Sequence, residues 1–335
     1  MKLIIPMAGV GKRMRPHTLT IPKPLLPIAG KPIVHRLVED ITRVIGKPFD
    51  EIAFIIGNFG KEVEDQLCAI ARETGSKPRI YYQFEALGTA HAVLCAAPSL
   101  SGPVVVAFAD TLFMADNMPF DENDDAVIWV QKVDNPQAFG VVKLDNSGVI
   151  TDFIEKPATF VSDLAIIGIY YVKDGKNFKE ELQHLINANI HKNGEYQLTD
   201  ALENMKNKGI RFKTGQVTEW LDCGNKDATI YTNRRILESL NPETLIHEKS
   251  NIINSVIIPP CFIGRETIVE NSVIGPYVSV GAFSQVKNSI IRNSIVQRHA
   301  YVEETHIENS MIGNHAEIIG TASEVNVGDY NALVK

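Results

Sequence analysis

From about Ser250 the 335-residue chain repeats itself, and the repeat restricts the folds open to it. Asn-Ser followed by two apolar residues recurs at Asn254, Asn271, Asn288, Asn293 and Asn309, and Ile-Gly or Val-Gly pairs fall at Ile263, Ile274, Val280, Ile312 and Ile319. Apolar residues roughly every five or six positions, with small and polar residues between, are the pattern of hexapeptide repeats coiled into a parallel β-helix. One such turn cannot bury its own apolar face, so several must stack. An irregular β-sandwich is the competing reading and explains the recurrence less well.

Upstream, from residue 1 to about 240, strand-like and helix-like segments alternate, the signature of an α/β sandwich with a mixed, mostly parallel central sheet. Strands are expected at Leu3–Pro6, Glu51–Ile56, Arg79–Gln83 and Pro103–Ala109, and helices at Ile33–Val44, Lys61–Glu73 and Thr89–Ala97. After Asp125 the pattern changes to strands with hairpin-like punctuation, Ala126–Val133, Phe139–Leu144, Val149–Glu155 and Ala165–Val172. Helices follow at about Asn177–Asn189 and Leu198–Lys208, then a strand at Ile210–Val217 and a closing helix at Asp227–Leu240 that Asn241-Pro242 ends. The expected division is a domain over residues 1–240, a linker over 241–250 and a β-helix over 251–335.

A formal net charge of −7 argues against a general nucleic-acid or anionic-membrane binder, which selects basic surfaces. No apolar run approaches the eighteen or so residues of a membrane span, and the N-terminal run is too short for a signal peptide. Cys68, Cys95, Cys223 and Cys261 are scattered without CxxC spacing, so a reduced, cytoplasmic protein without structural zinc is expected.

Against that acidic background, residues 1 to 31 carry six Lys or Arg and no Asp or Glu. The loop Pro6–Pro27, PMAGVGKRMRPHTLTIPKPLLP, follows the apolar run Leu3, Ile4, Ile5. Gly9 and Gly11 can bring backbone amides close to a ligand and form an anion-accepting nest. The loop is neither a Walker loop nor a complete GxGxxG fingerprint. Arg13 can bridge two phosphates bidentately, and Lys23 stands between two prolines that stiffen its backbone. Ligands of open α/β sheets bind outside the carboxyl ends of the strands, which places the Gly9/Gly11 loop, Gln83 and Asp110 on one rim. Asp110 at a strand end and Asp222 in WLDCGN are candidate metal ligands, since Mg²⁺ takes a couple of carboxylates and substrate oxygens.

Taken in order, AGVGKRMRPHT, Lys23-Pro24-Leu25-Leu26-Pro27 and Gly30-Lys31-Pro32 resemble the signature of sugar-1-phosphate nucleotidylyltransferases, and the Pro6-x-Ala8-Gly9-x-Gly11 form is similar to that of bacterial glucose-1-phosphate uridylyltransferases. Lys12 stands where that family usually has Thr. Gln83 with Leu87-Gly88-Thr89-Ala90-His91-Ala92 resembles the base-reading segment of uridylyl and thymidylyl transferases. Phe139-Gly140-Val141-Val142, Phe153-Ile154-Glu155-Lys156-Pro157, Gly168-Ile169-Tyr170 and Glu195-Tyr196-Gln197-Leu198-Thr199-Asp200 continue the series over roughly residues 1 to 230. Ala109 replaces a frequent Gly, and Ile166 and Ile167 stand where relatives often place a polar residue.

The resemblance implies a Rossmann-like nucleotidyltransferase domain with a left-handed β-helix appended. It also implies Arg13 and Lys23 as catalytic cations, and Ala8, Gly9, Gly11, Lys12, Gln83, Gly88 and Thr89 at the nucleotide. Gly140, Glu155, Lys156 and Gly168 would meet the sugar phosphate, and Asp110 and Asp222 would hold Mg²⁺. The implied reaction joins a sugar-1-phosphate, glucose-1-phosphate foremost, to a nucleotide from dTTP or UTP, and the base stays open between those two. The repeats suggest a homo-oligomer. Two other readings are a non-catalytic scaffold that keeps the fold, and a bifunctional enzyme whose β-helix transfers an acetyl group through His299, His306 or His315. A scaffold would be expected to lose the cations or the metal carboxylates, which are all present.

Overall fold

The computed structural model describes residues 1–117, 121, 123–192 and 194–320. Two compact units divide the chain: Met1–Leu26 with Lys31–Asn225, and Pro27–Gly30 with the chain from Lys226 onward. No described helix is long and apolar enough to cross a membrane.

In the first unit β1 (Lys2–Pro6) pairs in parallel with β2 (Glu51–Ile56), and β2 with β3 (Lys77–Tyr82). Helices α1 (Ile33–Ile45), α2 (Lys61–Glu73) and α3 (Thr89–Leu94) separate these strands from one another and from β4 (Val104–Ala107), which pairs in parallel with the other edge of β1. Leu3, Ile4, Ile5 and the whole of β4 are buried, as expected of strands covered on both faces. The spacing of α1 puts Ile33, Val34, Leu37, Val38, Ile41 and Val44 on its buried side. Gly46, left-handed at φ 76°, ends it by donating its N–H to the Thr42 and Arg43 carbonyls.

Beyond β4 lie β5 (Thr111–Met114), β6 (Ala126–Lys132), β7 (Gly140–Leu144), β8 (Ile150–Glu155) and β9 (Leu164–Val172). β9 runs antiparallel to β4, β6 and β7, and β7 antiparallel to β8. Helices α4 (Gly175–Asn187) and α5 (Leu198–Asn207) then lead to β10 (Phe212–Gln216), parallel to β6, which completes a mixed, mostly parallel sheet of nine strands. A strand over Thr111–Met114 stands where the sequence pattern predicts none: it forms a separate antiparallel ribbon with β11 (Glu219–Asp222), Thr111 opposite Asp222. The helix expected to reach Ala97 stops at Leu94, beyond which tighter turn bonds carry the chain to Leu100.

In the second unit, three stacks of short parallel strands form the faces of a β-helix, consistent with the left-handed hexapeptide form. Register partners Asn251, Ile268, Gln285, Tyr301 and Glu317 show coils of 17, 17, 16 and 16 residues. Val269, Val286 and Val302 stack in its fully buried interior. The recurring Asn has a physical reason. Asn254, Asn271, Asn288, Asn293 and Asn309 all sit at corners with φ between 37° and 50°, a region that Asn tolerates better than most residues. Their amides form ladders from coil to coil, Asn254 to Asn271 at 2.7 Å and Asn293 to Asn309 at 2.6 Å. The following serines accept backbone N–H groups of the next coil, Ser272 to Ser255 at 3.0 Å and Ser289 to Ser272 at 3.1 Å. The expected β-helix span ran to residue 335, and residues 321–335 lie outside the described ones.

The division of the chain differs from the expected one. Helix α6 (Lys226–Ser239), expected to close the first domain, belongs to the second unit together with residues 27–30. Residues 241–250, expected as a linker, are bonded into the first coil: Ile263 N–H donates to Leu245, and His247 N–H to Ile263. The reason lies at Asn233, which is fully buried and whose Oδ1 accepts from the Ala29 N–H at 2.8 Å and the Ser279 hydroxyl at 2.7 Å. Replacing it leaves two buried donors unpaired. Asn233→Ala is expected to lower stability by about 2–4 kcal/mol, read as an earlier denaturant midpoint for the second unit, whereas Ser279→Ala should cost less because Asn233 Oδ1 still accepts the Ala29 N–H.

Candidate active site

The loop after β1 is built around Gly11. Its φ of 59° and ψ of 40° are left-handed, and a Cβ there would lie 3.0 Å from both Lys23 Cβ and Thr18 Cγ2. Thr18 Oγ1 donates to the Gly11 carbonyl at 2.8 Å, and the short helix Lys12–Met14 follows, anchored by buried Met14. Gly9 is different. It is not left-handed and has nothing within 4 Å of its Cβ position, so it leaves open space beside the strand end. Lys12 and Arg13 are exposed on this loop.

Lys23 comes from the short helix Lys23–Leu25, and its side chain is only 9% exposed. Its Nζ lies 2.7 Å from Asp110 Oδ2, a contact across 87 residues of chain. Asp110 follows β4, and the β5–β11 ribbon brings Asp222 beside it: Thr111 opposes Asp222, and Cys223 N–H donates to the Asp110 carbonyl at 2.9 Å. Gly224 N–H donates to Asp222 Oδ1 at 2.9 Å. Burial, and then the Asp110 carboxylate, push the Asp222 carboxyl above its ordinary value, while Lys23 and Arg13 oppose the rise. Two carboxylates thus face one region, with cations around them.

A cavity of about 400 Å³ joins these parts. Ala8, Gly9, Gly11, Lys12, Arg13, Lys23 and Asp110 line it from one side, Gln83, Gly88 and Thr89 from another. Gly88 is required by space: its φ is 104°, and a Cβ would lie 2.5 Å from the Tyr196 carbonyl oxygen. Tyr196 N–H donates to Leu87, and Ala90 N–H to Tyr196, so two loops are clamped together at this point. Gln83 Nε2 lies 3.2 Å from the Gly88 carbonyl and 3.0 Å from His91 Nδ1. Thr89 makes no cap for α3. Its Oγ1 instead accepts the Leu198 N–H at 2.9 Å, which ties down the start of α5.

Asp222, Gly140, Glu155, Lys156 and Gly168 stand outside that lining, which Gly224 reaches from the Asp222 side. Glu155 pairs with Gly140 across β7 and β8, and a Cβ at Gly140 would lie 2.9 Å from Glu155 Oε2. Burial pushes the Glu155 carboxyl up; Lys156, 3.7 Å away, pulls it down, as does Lys192. Gly168, at φ 89°, sits where the register of β9 against β6 shifts, and its carbonyl accepts the Phe108 N–H at 2.9 Å. Ile167 does not lack a polar contact altogether, because its carbonyl accepts Thr111 Oγ1 at 2.6 Å. Neither Thr111 nor Thr199, whose buried Oγ1 has no partner among the described residues, stands out in the sequence. Both are threonines inside regular elements, where that residue usually only packs.

A loop rich in cations, two neighbouring carboxylates and a roomy cleft at strand ends lie together here. The family model "Nucleotidyl transferase" matches residues 2–239, and the chain belongs to that family. It is 31% identical over 264 residues to the bifunctional protein GlmU of Methanococcus vannielii, which covers 77% of this chain and 59% of that protein, so the chain spans about three-fifths of that relative. It is 28% identical to a glucose-1-phosphate thymidylyltransferase of Streptomyces griseus over 99% of this chain and 98% of that one. Among solved structures, a UDP-glucose pyrophosphorylase complexed with UDP-glucose shares the fold with a TM-score of 0.60 at 24% identity, over 71% of this chain and 99% of that chain.

The raised Asp222 carboxyl has a measurable consequence. Folding leaves it holding its proton more tightly than the unfolded chain does, so its ionisation opposes folding at every pH above its folded value. Asp222→Asn is expected to raise the melting temperature at pH 7 by about 2–4 °C, the shift that ~1 kcal/mol gives in a domain of this size. The gain should disappear in melts recorded below about pH 4, where the unfolded carboxyl is protonated too.

Proposed function

We propose that this protein transfers a nucleotidyl group from dTTP or UTP to a sugar-1-phosphate, glucose-1-phosphate foremost, and releases pyrophosphate. An oxygen of the sugar phosphate attacks the α-phosphorus; that P–O bond forms as the bond to the β-phosphate breaks and pyrophosphate leaves with its electron pair. The observation that carries the reading is the Lys23–Asp110 pair beside Asp222 at the mouth of the Gly11 loop. The Streptomyces griseus thymidylyltransferase, similar over nearly its whole length, supports the same reaction class.

Two anions must meet, so the residues act mainly by neutralisation and positioning. Arg13 and Lys12, exposed on the loop, approach the triphosphate from outside, and the amides around Gly9 and Gly11 cradle it. Lys23, buried and held on a rigid turn, supplies a fixed positive charge near the α-phosphorus. Gln83 and Gly88 face the base. Glu155 is half-buried and accepts hydrogen bonds from sugar hydroxyls, while Lys156 reaches the sugar phosphate. The donor set at Asp110 and Asp222 fits Mg²⁺: two neighbouring carboxylates, one of them pushed up first by burial and then by the other's charge. When bound there, the ion supplies charge to the phosphate oxygens.

At one corner of the β-helix His299 stacks on Phe283 with ring centroids 4.9 Å apart, and His315 stacks on His299 at 4.7 Å, which gives these two rings a packing role. We read the β-helix as the oligomerisation element; light scattering should give a mass of at least a dimer, and a monomer would contradict it.

The test of the reaction is pyrophosphate release from five nucleoside triphosphates crossed with several sugar-1-phosphates. dTTP or UTP with glucose-1-phosphate should dominate the matrix. Asp110→Asn should lower turnover by at least about 100-fold with an unchanged circular dichroism spectrum, and near-normal turnover would remove Asp110 from the site.

A further inference from the structure

Gln83 can present either end of its amide to the cavity, and the structure settles which. Its Nε2 lies 3.2 Å from the Gly88 carbonyl oxygen, an atom that only accepts hydrogen bonds. The nitrogen must therefore face inward. The same nitrogen lies 3.0 Å from His91 Nδ1, which must then accept as well, so the imidazole is neutral with its proton on Nε2. Gly88 is itself immobile, because its carbonyl also accepts the Ala92 N–H at 3.1 Å and its Cα has no room beside Tyr196. His91 does not line the cavity, whereas Gln83 and Gly88 do. Gln83 Oε1 has no hydrogen-bond partner among the described residues.

We infer that His91 is a positioning residue for nucleotide choice: through its Nδ1 it locks the Gln83 amide so that the acceptor Oε1 faces the base. This rests on the nucleotidyl-transfer reading above. An outward acceptor favours a base whose ring nitrogen carries hydrogen, as N3–H does in uracil and thymine. Cytosine presents a lone pair at that nitrogen and is repelled. An unlocked amide could turn its NH₂ outward to meet cytosine, at the cost of setting Oε1 against the Gly88 carbonyl. The lock thus converts a symmetrical, forgiving amide into a one-way reader.

The experiment measures equilibrium binding of UTP, CTP and N3-methyluridine triphosphate to the full chain by calorimetry. The wild type should bind UTP at least tenfold more tightly than either of the others. Equal binding of UTP and the N3-methyl analogue would overturn the inference without any variant. His91→Leu keeps the bulk and removes the acceptor, and should narrow the UTP/CTP ratio about five- to tenfold, the range one hydrogen bond supplies. His91→Asn places a carbonyl oxygen where Nδ1 was and should restore the ratio. A Leu variant with the wild-type ratio, or an Asn variant that fails to restore it while melting like the wild type, would overturn the role of His91. A wild type that binds neither UTP nor dTTP would instead overturn the underlying choice of nucleotide, and the two failures are distinguishable.

Discussion

Two carboxylates in one small region repel, and the first unit is arranged around making that repulsion tolerable. Asp110 ends a fully buried strand, Asp222 arrives on a ribbon paired to the very next residue, and Lys23 is delivered by a rigid turn 87 residues away. None of the three positions can shift alone. The strand is fixed by its parallel neighbour, the ribbon by its ladder, and the lysine by packing around a side chain that water scarcely reaches. Burial costs Lys23 and Asp222 much of their hydration, which their placement beside opposite charges offsets in part, while Asp110 keeps a share of its own.

The same economy of position appears at the Gly88 end of the cleft. A loop from the segment before α3 and a loop before α5 are sewn together by backbone bonds at Gly88 and Tyr196, so the cleft wall there is set by backbone geometry. Side chains there then act as adjusters. Thr89 spends its hydroxyl on α5, and His91 spends its lone pair on Gln83.

Much of this was legible in the chain itself. Alternating apolar segments and the closing Asp110 revealed the α/β unit, because a doubly covered strand has to be continuously apolar. The Asn-Ser recurrence revealed the β-helix, because left-handed corners select Asn. What stayed hidden were relations across distance. Nothing in the order of residues says that Lys23 touches Asp110, that Thr111–Met114 is a strand rather than part of a loop, or that α6 turns to serve the second unit through Asn233. Local pattern also overstated Gly9, which looks like the partner of Gly11 and yet uses none of glycine's conformational range. Ile167 made the reverse point, since a backbone carbonyl takes the contact that its side chain could not offer.

The coils of the β-helix shorten from 17 to 16 residues without disturbing the three stacked faces. Val280 pairs with Val296 and Gln285 with Tyr301, each sixteen residues on, so the corner that carries Phe283 and His299 keeps its length; Ile274 pairs with Ile291, seventeen on, and Ser279 with Ile295, sixteen on, so the lost residue comes from the corner that holds Pro276 and, one coil later, Asn293. A corner turned by a proline thus gives way to one turned by an asparagine at the loss of a single residue, while the flat stack of Phe283, His299 and His315 marks a corner whose length does not change.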